Sequence, residues 1–459
     1  MKIYNSLSKT KEEFKPITKG KVGMYHCGPT VYDHVHIGNL RSFMMGDFIR
    51  RALEFNDYKV TQVMNITDVG HLVSDGDKGD DKMTKALKRE GMEITLENMI
   101  AVAGVYADSF KKDLLALNII EPHHFPKASD HITEDIDIIM TLNKKGFTYA
   151  TSDGVYFDTS KYSDYGKLGG LNREEESESR IDENPEKRQS ADFALWKFDT
   201  HQGWASPWGQ GFPGWHIECS GMAKKYLGNH FDIHTGGVDL RSVHHNNEIA
   251  QSECSNDESF VNYWMHGEML NFGGEKLSKS TGGNISIQSV KDRGYSIMSY
   301  RYLALQTHYR SPMNFTWDVL KSAQNGLSKV YRDISSLRRN SKDIGNIDTE
   351  FNKDFKEKIN DDINLPQALA IFHNMMNSNL NPEDKLATAY HFDTVLGLRL
   401  AEYKAPQILI EDKAQRLLDR RKVARDTKDF ETSDTLRNQL SEMGYKVSDI
   451  NGEQKIEKL

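Results

Sequence analysis

The sequence predicts an α/β protein in which a doubly wound sheet domain, interrupted by an insertion, is followed by an α-helical bundle. Three observations carry that prediction. Residues 21–26 and 59–66 read as short buried strands on either side of a helical pattern over 40–54, which makes a β-α-β unit. The sheet pattern breaks off over residues 119 to about 200 and resumes at 231–235 and 263–270. Beyond Tyr300 apolar residues recur at helical spacing over 301–337 and 364–396, as in a bundle.

Each remaining stretch has its own signal. Residues 70–82, rich in Gly and Asp, read as a long loop above the carboxyl ends of the strands, where a doubly wound sheet binds its ligands. Helical patterns follow over 84–118. Inside the insertion, 133–145 reads as a helix and 147–158 as a hairpin. Residues 172–190 carry charges of both signs and read as a solvated surface loop. The Gly273-Gly274 pair turns the chain after the strand at 263–270, and a Lys- and Asp-rich segment at 341–354 interrupts the bundle. A last helical region, 412–443, stops at Gly444. On this pattern the chain divides into a sheet domain over 1–309, a bundle over 310–405 and a small C-terminal region over 406–459.

Composition excludes some classes of function. With 37% hydrophobic and 27% charged residues, the 459-residue chain has the make-up of an ordinary globular protein. A formal net charge of −8 rules out a uniformly basic nucleic-acid binder, so any RNA contact must come from local patches. No apolar run approaches a membrane span, and the first residues lack a signal-peptide core. Three cysteines in so long a chain indicate a reducing compartment, the cytoplasm, rather than a disulfide framework.

The chemistry concentrates in the run Cys27-Gly-Pro-Thr-Val-Tyr-Asp-His-Val-His-Ile-Gly-Asn39. A strand that breaks at Gly-Pro and restarts as a helix gathers backbone N–H groups and the positive end of the helix dipole, an anion site. His36 and Asn39 flank Gly38, so two neutral donors point where a phosphate would lie against bare backbone. Lys276-Leu-Ser-Lys-Ser280 sits between two glycine pairs, and Lys276 and Lys279 on such a loop can close over a polyphosphate. Alone it would be an exposed basic turn; beside the first motif it is specific. Asp239, after a Gly-Gly turn at a strand end, is placed to bind ribose hydroxyls or is an ordinary turn aspartate.

A metal set is also readable. His244 and Glu248 lie one helical turn apart on a shared face, with Cys219 upstream and Cys27 at the sheet edge. Two thiolates, an imidazole and a carboxylate suit tetrahedral zinc, although buried free cysteines are more often inert small hydrophobes. His245 competes with His244 as the ligand, and Cys254 reads as a helix-face residue.

The His36-Ile-Gly-Asn39 and Lys276-Leu-Ser-Lys-Ser280 motifs resemble the HIGH and KMSKS elements of class I aminoacyl-tRNA synthetases, with Asn39 for the final His and Leu277 for Met. Asn65-Ile-Thr-Asp-Val-Gly-His71, Gly214-Trp-His-Ile-Glu-Cys219, His244-His-Asn-Asn-Glu248, Thr307-His-Tyr-Arg-Ser-Pro312 and Lys428-Asp-Phe-Glu-Thr-Ser-Asp434 narrow the resemblance to the cysteinyl-tRNA synthetase family, over nearly the whole chain. The resemblance implies a Rossmann-like catalytic domain and a helical tRNA-binding region. Its implied substrates are ATP, L-cysteine and tRNA(Cys). It implies one Zn²⁺ per subunit on Cys27, Cys219, His244 and Glu248, Mg²⁺ accompanying ATP, and a monomer. By family position Thr30 joins His36, Gly38, Asn39, Asp239 and Lys279 around ATP, while Gly28, Thr67 and Trp215 surround the amino acid. The chain departs from the family pattern at Thr235, where a glycine is usual, at Asn246 in place of Glu, and at Lys455 near the position of a common tail tryptophan.

Two other readings compete. A cysteine ligase transferring to an amine on a small sugar-like acceptor would lack the helical tail of residues 310–459. A zinc-dependent RNA-binding module would not need both phosphate motifs.

Overall fold

The computed structural model describes residues 1–69, 82–169, 184–200, 202–273, 275–276, 285–404, 411–450 and 453–458. The chain opens on an antiparallel hairpin, β1 (Lys2–Asn5) and β2 (Thr10–Glu13). Strand β3 (Lys21–His26), helix α1 (Ile37–Phe55) and strand β4 (Lys59–Met64) form the expected β-α-β unit, with β3 and β4 parallel and in register from Lys21↔Lys59 to His26↔Met64. The expected loop at 70–82 lies outside the described residues except for Lys82, which starts α2 (Lys82–Glu90). The helical pattern over 84–118 divides between α2 and α3 (Leu96–Ala116). Gly91 takes a φ of 69° between them and the Thr95 hydroxyl caps the second helix.

The insertion begins as expected with α4 (Ile132–Lys144) and the hairpin of β5 (Thr148–Ala150) and β6 (Gly154–Phe157). It does not end near residue 200. Strands β7 (Phe193–Phe198) and β8 (Gly211–Pro213) complete an antiparallel sheet of order β5-β6-β7-β8. The solvated loop expected at 172–190 is described only from Asn184, and that part is tied down. Asn184 Nδ2 donates to Asp153 Oδ1 (2.8 Å), and Arg188 Nη1 pairs with Asp158 Oδ2 (2.9 Å).

Helix α5 (Trp215–Leu227) and strand β9 (Phe231–Gly237) return the chain to the main sheet. Helix α6 (His244–Asn256) follows, then β10 (Val261–Gly267), β11 (Leu270–Phe272) and β12 (Glu275–Lys276). The main sheet is parallel, of order β10-β9-β3-β4. Its strands are buried along most of their length, polar residues such as Asp232 and His234 included, as in a sheet covered on both faces.

Helices α7 (Ile287–Asp292) and α8 (Ile297–Leu305) lead to a strand where only helix was expected, β13 (Met313–Phe315). It pairs in parallel with β11, and its alternating burial spans just three residues. Helices α9 (Trp317–Asn340), α10 (Thr349–Ile359), α11 (Leu365–Asn377) and α12 (Pro382–Leu396) make the bundle, α10 beginning inside the segment read as an interruption. These helices share one hydrophobic core with α1 and the main sheet.

The chain divides into two compact units, Met1–Glu402 and Tyr403–Leu459. The second unit holds α13 (Asp412–Asp426) and α14 (Phe430–Glu442). Gly444, at φ 82°, stops α14 as expected. It then adds an unexpected hairpin, β14 (Tyr445–Ile450) and β15 (Glu453–Lys458). Arg421 is buried there in a bidentate pair with Asp449 (2.9 and 2.7 Å). Of the basic run at 420–422, that residue serves the fold rather than the surface.

A buried ionic hub joins α1, α8, α12 and the end of α3. Asp47 accepts from Arg51 Nε (2.8 Å) and Arg301 Nη2 (2.6 Å). The two guanidinium groups also donate to the terminal carbonyls of Leu117, Asn118, Thr394 and Leu396. Removing Asp47 would strand two cations in the interior, so Asp47→Ala should cost about 3–5 kcal/mol of unfolding free energy. Urea denaturation measures this, and a loss below about 1 kcal/mol would show that the hub does not support the fold.

Candidate active site

The carboxyl ends of β3 and β9 and the start of α1 surround a cavity of about 350 Å³. Cys27, Gly28, Thr30, His36, Gly38, Asn39, Trp215 and Asp239 all line it, so the structure brings eight of the singled-out residues together. The glycines there have steric reasons. A Cβ on Gly28 would lie 1.7 Å from the Asn65 carbonyl oxygen, one on Gly38 would lie 2.9 Å from the His36 ring, and one on Gly237 would lie 2.3 Å from Asp239 Oδ1.

His36 and Asn39 form a reciprocal cap on α1. The Asn39 N–H donates to His36 Nδ1 (3.2 Å), and the His36 N–H donates to Asn39 Oδ1 (3.3 Å). The neutral imidazole therefore carries its proton on Nε2, and Asn39 keeps its amide N–H groups as donors. The turn is held from outside as well, since Ile37 N–H donates to the Ile285 carbonyl (2.8 Å) and Tyr300 Oη donates to the Ile37 carbonyl (2.6 Å). Lys276 is placed by its backbone, paired with Asn271 of β11 next to the cavity-lining Leu270. Lys279 lies outside the described residues.

Cys27 leads from the cavity into a buried cluster. The ligating atoms of Cys27, Cys219, His244 and Glu248 all lie within 4.8 Å of one another, as do those of a second set, Cys27, His234, His245 and Glu248. Glu248 bridges the sets. Its Oε1 is 3.0 Å from His244 Nε2 and its Oε2 is 2.8 Å from His234 Nε2. His244 Nδ1 is 2.8 Å from His216 Nδ1, and His245 Nδ1 is 2.8 Å from His266 Nε2, so these two imidazoles are oriented from behind, whereas His234 Nδ1 has no partner among the described residues. Trp215 lines the cavity and also packs against His244, with ring centroids 4.3 Å apart and planes tilted by 43°. Cys254 is buried outside both sets.

The electrostatics of the first set suit a cation. Burial, followed by the Cys219 and Glu248 charges, pushes the Cys27 thiol up. Cys219 is drawn down to about 6 by its hydrogen bond with Cys27, which outweighs burial, with help from His244. Burial opposes the charge on Glu248, yet His234 and His244 hold it at about 2. Burial likewise opposes the His244 cation, but Glu248 and Cys219 raise it to about 10. A metal ion would take over the neutralisation that protons on His244 and Cys27 supply, and a two-thiol, imidazole and carboxylate donor set fits zinc.

Three further singled-out residues, Thr67, Thr235 and Asn246, are not among those that line the cavity. Thr67 is buried behind Gly28, outside the cavity lining, where it accepts from Asn65 and donates to Glu218. Thr235 turns its hydroxyl into the sheet, 2.5 Å from His26 Nδ1, rather than toward the nucleotide side. Asn246 donates to the Arg241 and Ser242 carbonyls at the start of α6 and accepts from Leu168 N–H, which is a structural task. His234 was missed by sequence reasoning. Its one signal was an ionisable residue inside an otherwise buried strand.

Comparisons with known proteins agree with this geometry. The family described as tRNA synthetases class I (C) catalytic domain matches residues 13–325, and the cysteinyl-tRNA ligase anticodon binding domain matches residues 410–456. Cysteine–tRNA ligase 1 of Burkholderia lata is 45% identical over 453 residues, covering 97% of this chain and 94% of that protein. The cysteine–tRNA ligase of Treponema denticola is 37% identical over 495 residues, covering all of both. Among solved structures, methionyl-tRNA synthetase of Mycobacterium tuberculosis in complex with methionyl-adenylate superposes with a TM-score of 0.56 at 14% identity, over 82% of this chain and 90% of that one. A LeuRS–tRNA–LeuAMS complex of Agrobacterium radiobacter K84 gives 0.58 at 11% identity, over 85% of each. The structural likenesses establish the fold, and the full-length relatives establish that this chain belongs to the cysteine–tRNA ligase family of class I aminoacyl-tRNA synthetases.

Proposed function

We propose that the cavity and the buried cluster share one reaction: L-cysteine is activated by ATP to cysteinyl-adenylate and pyrophosphate, then passed to the 3′-terminal ribose of tRNA(Cys). The observation that carries this reading is the junction at Cys27, which lines the nucleotide-sized cavity and belongs to the thiol cluster. Cys27, Cys219, His244 and Glu248 would hold zinc, which would supply a soft Lewis acid that favours a thiol over a hydroxyl. Cysteine and serine differ by one atom, and an apolar pocket separates such near-isosteres by only about 10–200-fold. Direct metal recognition removes the need for editing.

The residues divide the remaining work. The cysteine carboxylate is already ionised, so attack on the α-phosphorus needs no general base, and catalysis is positioning plus charge neutralisation. His36 through Nε2–H and Asn39 through its amide hold the triphosphate at the start of α1, with Thr30 and Gly38 beside it. Asp239 takes the ribose hydroxyls. Lys276 and Lys279 neutralise the departing pyrophosphate, with Mg²⁺ accompanying ATP. Gly28 and Trp215 enclose the amino acid, and Thr67 supports that wall from behind.

In the same reading, the chain acts as a cytoplasmic monomer. Residues 310–405 meet the tRNA stem and anticodon, and 406–459 form a further anticodon-binding region, where the exposed Arg420 and Lys422 offer charge that the internal Arg421 does not. No helix among the described residues is long and apolar enough to cross a membrane.

Three outcomes check this reading. Lys279→Ala should lower cysteine-dependent ATP–pyrophosphate exchange by at least about 100-fold with zinc content unchanged, and normal exchange would remove the lysine from the reaction. Cys219→Ser should lose zinc and cysteine binding together, so stoichiometric metal in that variant would rule out the first ligand set. Deleting residues 403–459, a separate compact unit, should spare pyrophosphate exchange and depress tRNA charging; equal loss in both assays would detach this unit from tRNA recognition.

A further inference from the structure

The two thiols of the cluster come from separate segments, and a line of buried hydrogen bonds joins those segments. Gly28 N–H donates to Asn65 Oδ1 (2.7 Å), Asn65 Nδ2 donates to Thr67 Oγ1 (3.1 Å), and the Thr67 hydroxyl donates to Glu218 Oε2 (3.0 Å). The line begins at the residue after Cys27 and ends at the residue before Cys219. Asn65, Thr67 and Glu218 are 2%, 1% and 0% exposed, so water does not compete for these bonds.

The surroundings leave little slack at one end and none to spare at the other. Gly28 abuts the Asn65 carbonyl too closely for any side chain. Thr67 N–H donates to the Pro29 carbonyl and Val31 N–H donates to the Thr67 carbonyl, which lays the loop after Cys27 along residues 65–67. At the other end Glu218 Oε1 has no partner among the described residues, and the Thr67 hydroxyl supplies the hydrogen bond to Oε2. The donor order also fixes Thr67: its proton is spent on Glu218, and it can meet a substrate only as an acceptor.

We propose that Asn65 and Glu218 are positioning residues, which set the separation and orientation of Cys27 and Cys219 through Thr67 and thereby the geometry in which the cluster takes a metal. The inference rests on the zinc reading above. What matters at position 218 is an acceptor for the Thr67 hydroxyl, so an isosteric amide preserves the line and an alanine breaks it.

The test uses the full chain loaded with Zn²⁺ or with Co²⁺ as a spectroscopic probe. Glu218→Ala should weaken zinc by about 10–100-fold in chelator competition and shift the thiolate-to-cobalt absorption bands, while ATP affinity stays at the wild-type value. Glu218→Gln should restore both metal readouts. Should Glu218→Ala fail to fold, Thr67→Val keeps the shape of the side chain, interrupts the line at its centre and should give the same metal phenotype. Wild-type zinc affinity and cobalt spectrum in the broken-line variant would overturn the proposal, as would a Glu218→Gln variant as impaired as Glu218→Ala. A wild-type protein that shows no thiolate-to-cobalt bands would instead overturn the zinc reading, and the positioning role with it.

Discussion

Two thiols and a carboxylate are held out of water within a few ångströms of one another at the carboxyl end of the sheet, and much of the first unit serves to make that tolerable. Glu248 is fully buried, and its two oxygens meet His244 of its own helix and His234 of β9. An isolated carboxylate in such a place would take up a proton. Here paired imidazoles keep it ionised, and His216 in turn fixes the His244 ring. A buried anionic cluster of this kind is an expensive way to fill a core, and it becomes favourable once a divalent cation replaces the protons.

The nucleotide side follows from the same junction. Cys27 follows directly on β3, the chain turns at Gly28 and Pro29, and α1 begins ten residues on with its first turn capped by His36 and Asn39. The cap and the proposed ligand-binding task fall to different groups: the helix takes His36 Nδ1 and Asn39 Oδ1, and the phosphate contacts are assigned to His36 Nε2 and the Asn39 amide. The hub at Asp47 lies further along α1 and pins that helix to α8 and α12. A helix that presents phosphate-binding groups at one end is thus anchored in the bundle's core at its middle.

Much of this was legible in the sequence because the signals are local. The β-α-β unit shows as two buried runs around a helical period, and the motif at 36–39 and the His244–Glu248 pair each fit within one turn of helix. Features set by pairing across the chain were not. His234 faces the cluster because of how β9 sits in the sheet, which a single histidine in the mixed run Phe231–Gly237 does not reveal. Asp47 and Arg301 are separated by 254 residues. β13 is too short for its period of two to stand out from helical neighbours, and the insertion's last strands lie beyond a break in the pattern. The hairpin at 445–458 is rich in Lys and Glu, residues depleted in strands, and Arg421, flanked in sequence by Arg420 and Lys422, is set apart from them by its partner Asp449.

Calorimetric titration of the zinc-loaded and zinc-stripped protein with cysteine and with serine bears most directly on the union of metal cluster and active site. Cysteine should be preferred by far more than about 200-fold in the loaded protein, and the preference should collapse to the about 10–200-fold of an apolar pocket once zinc is removed. An equal preference in both forms would mean that the cluster at Cys27 does not read the substrate.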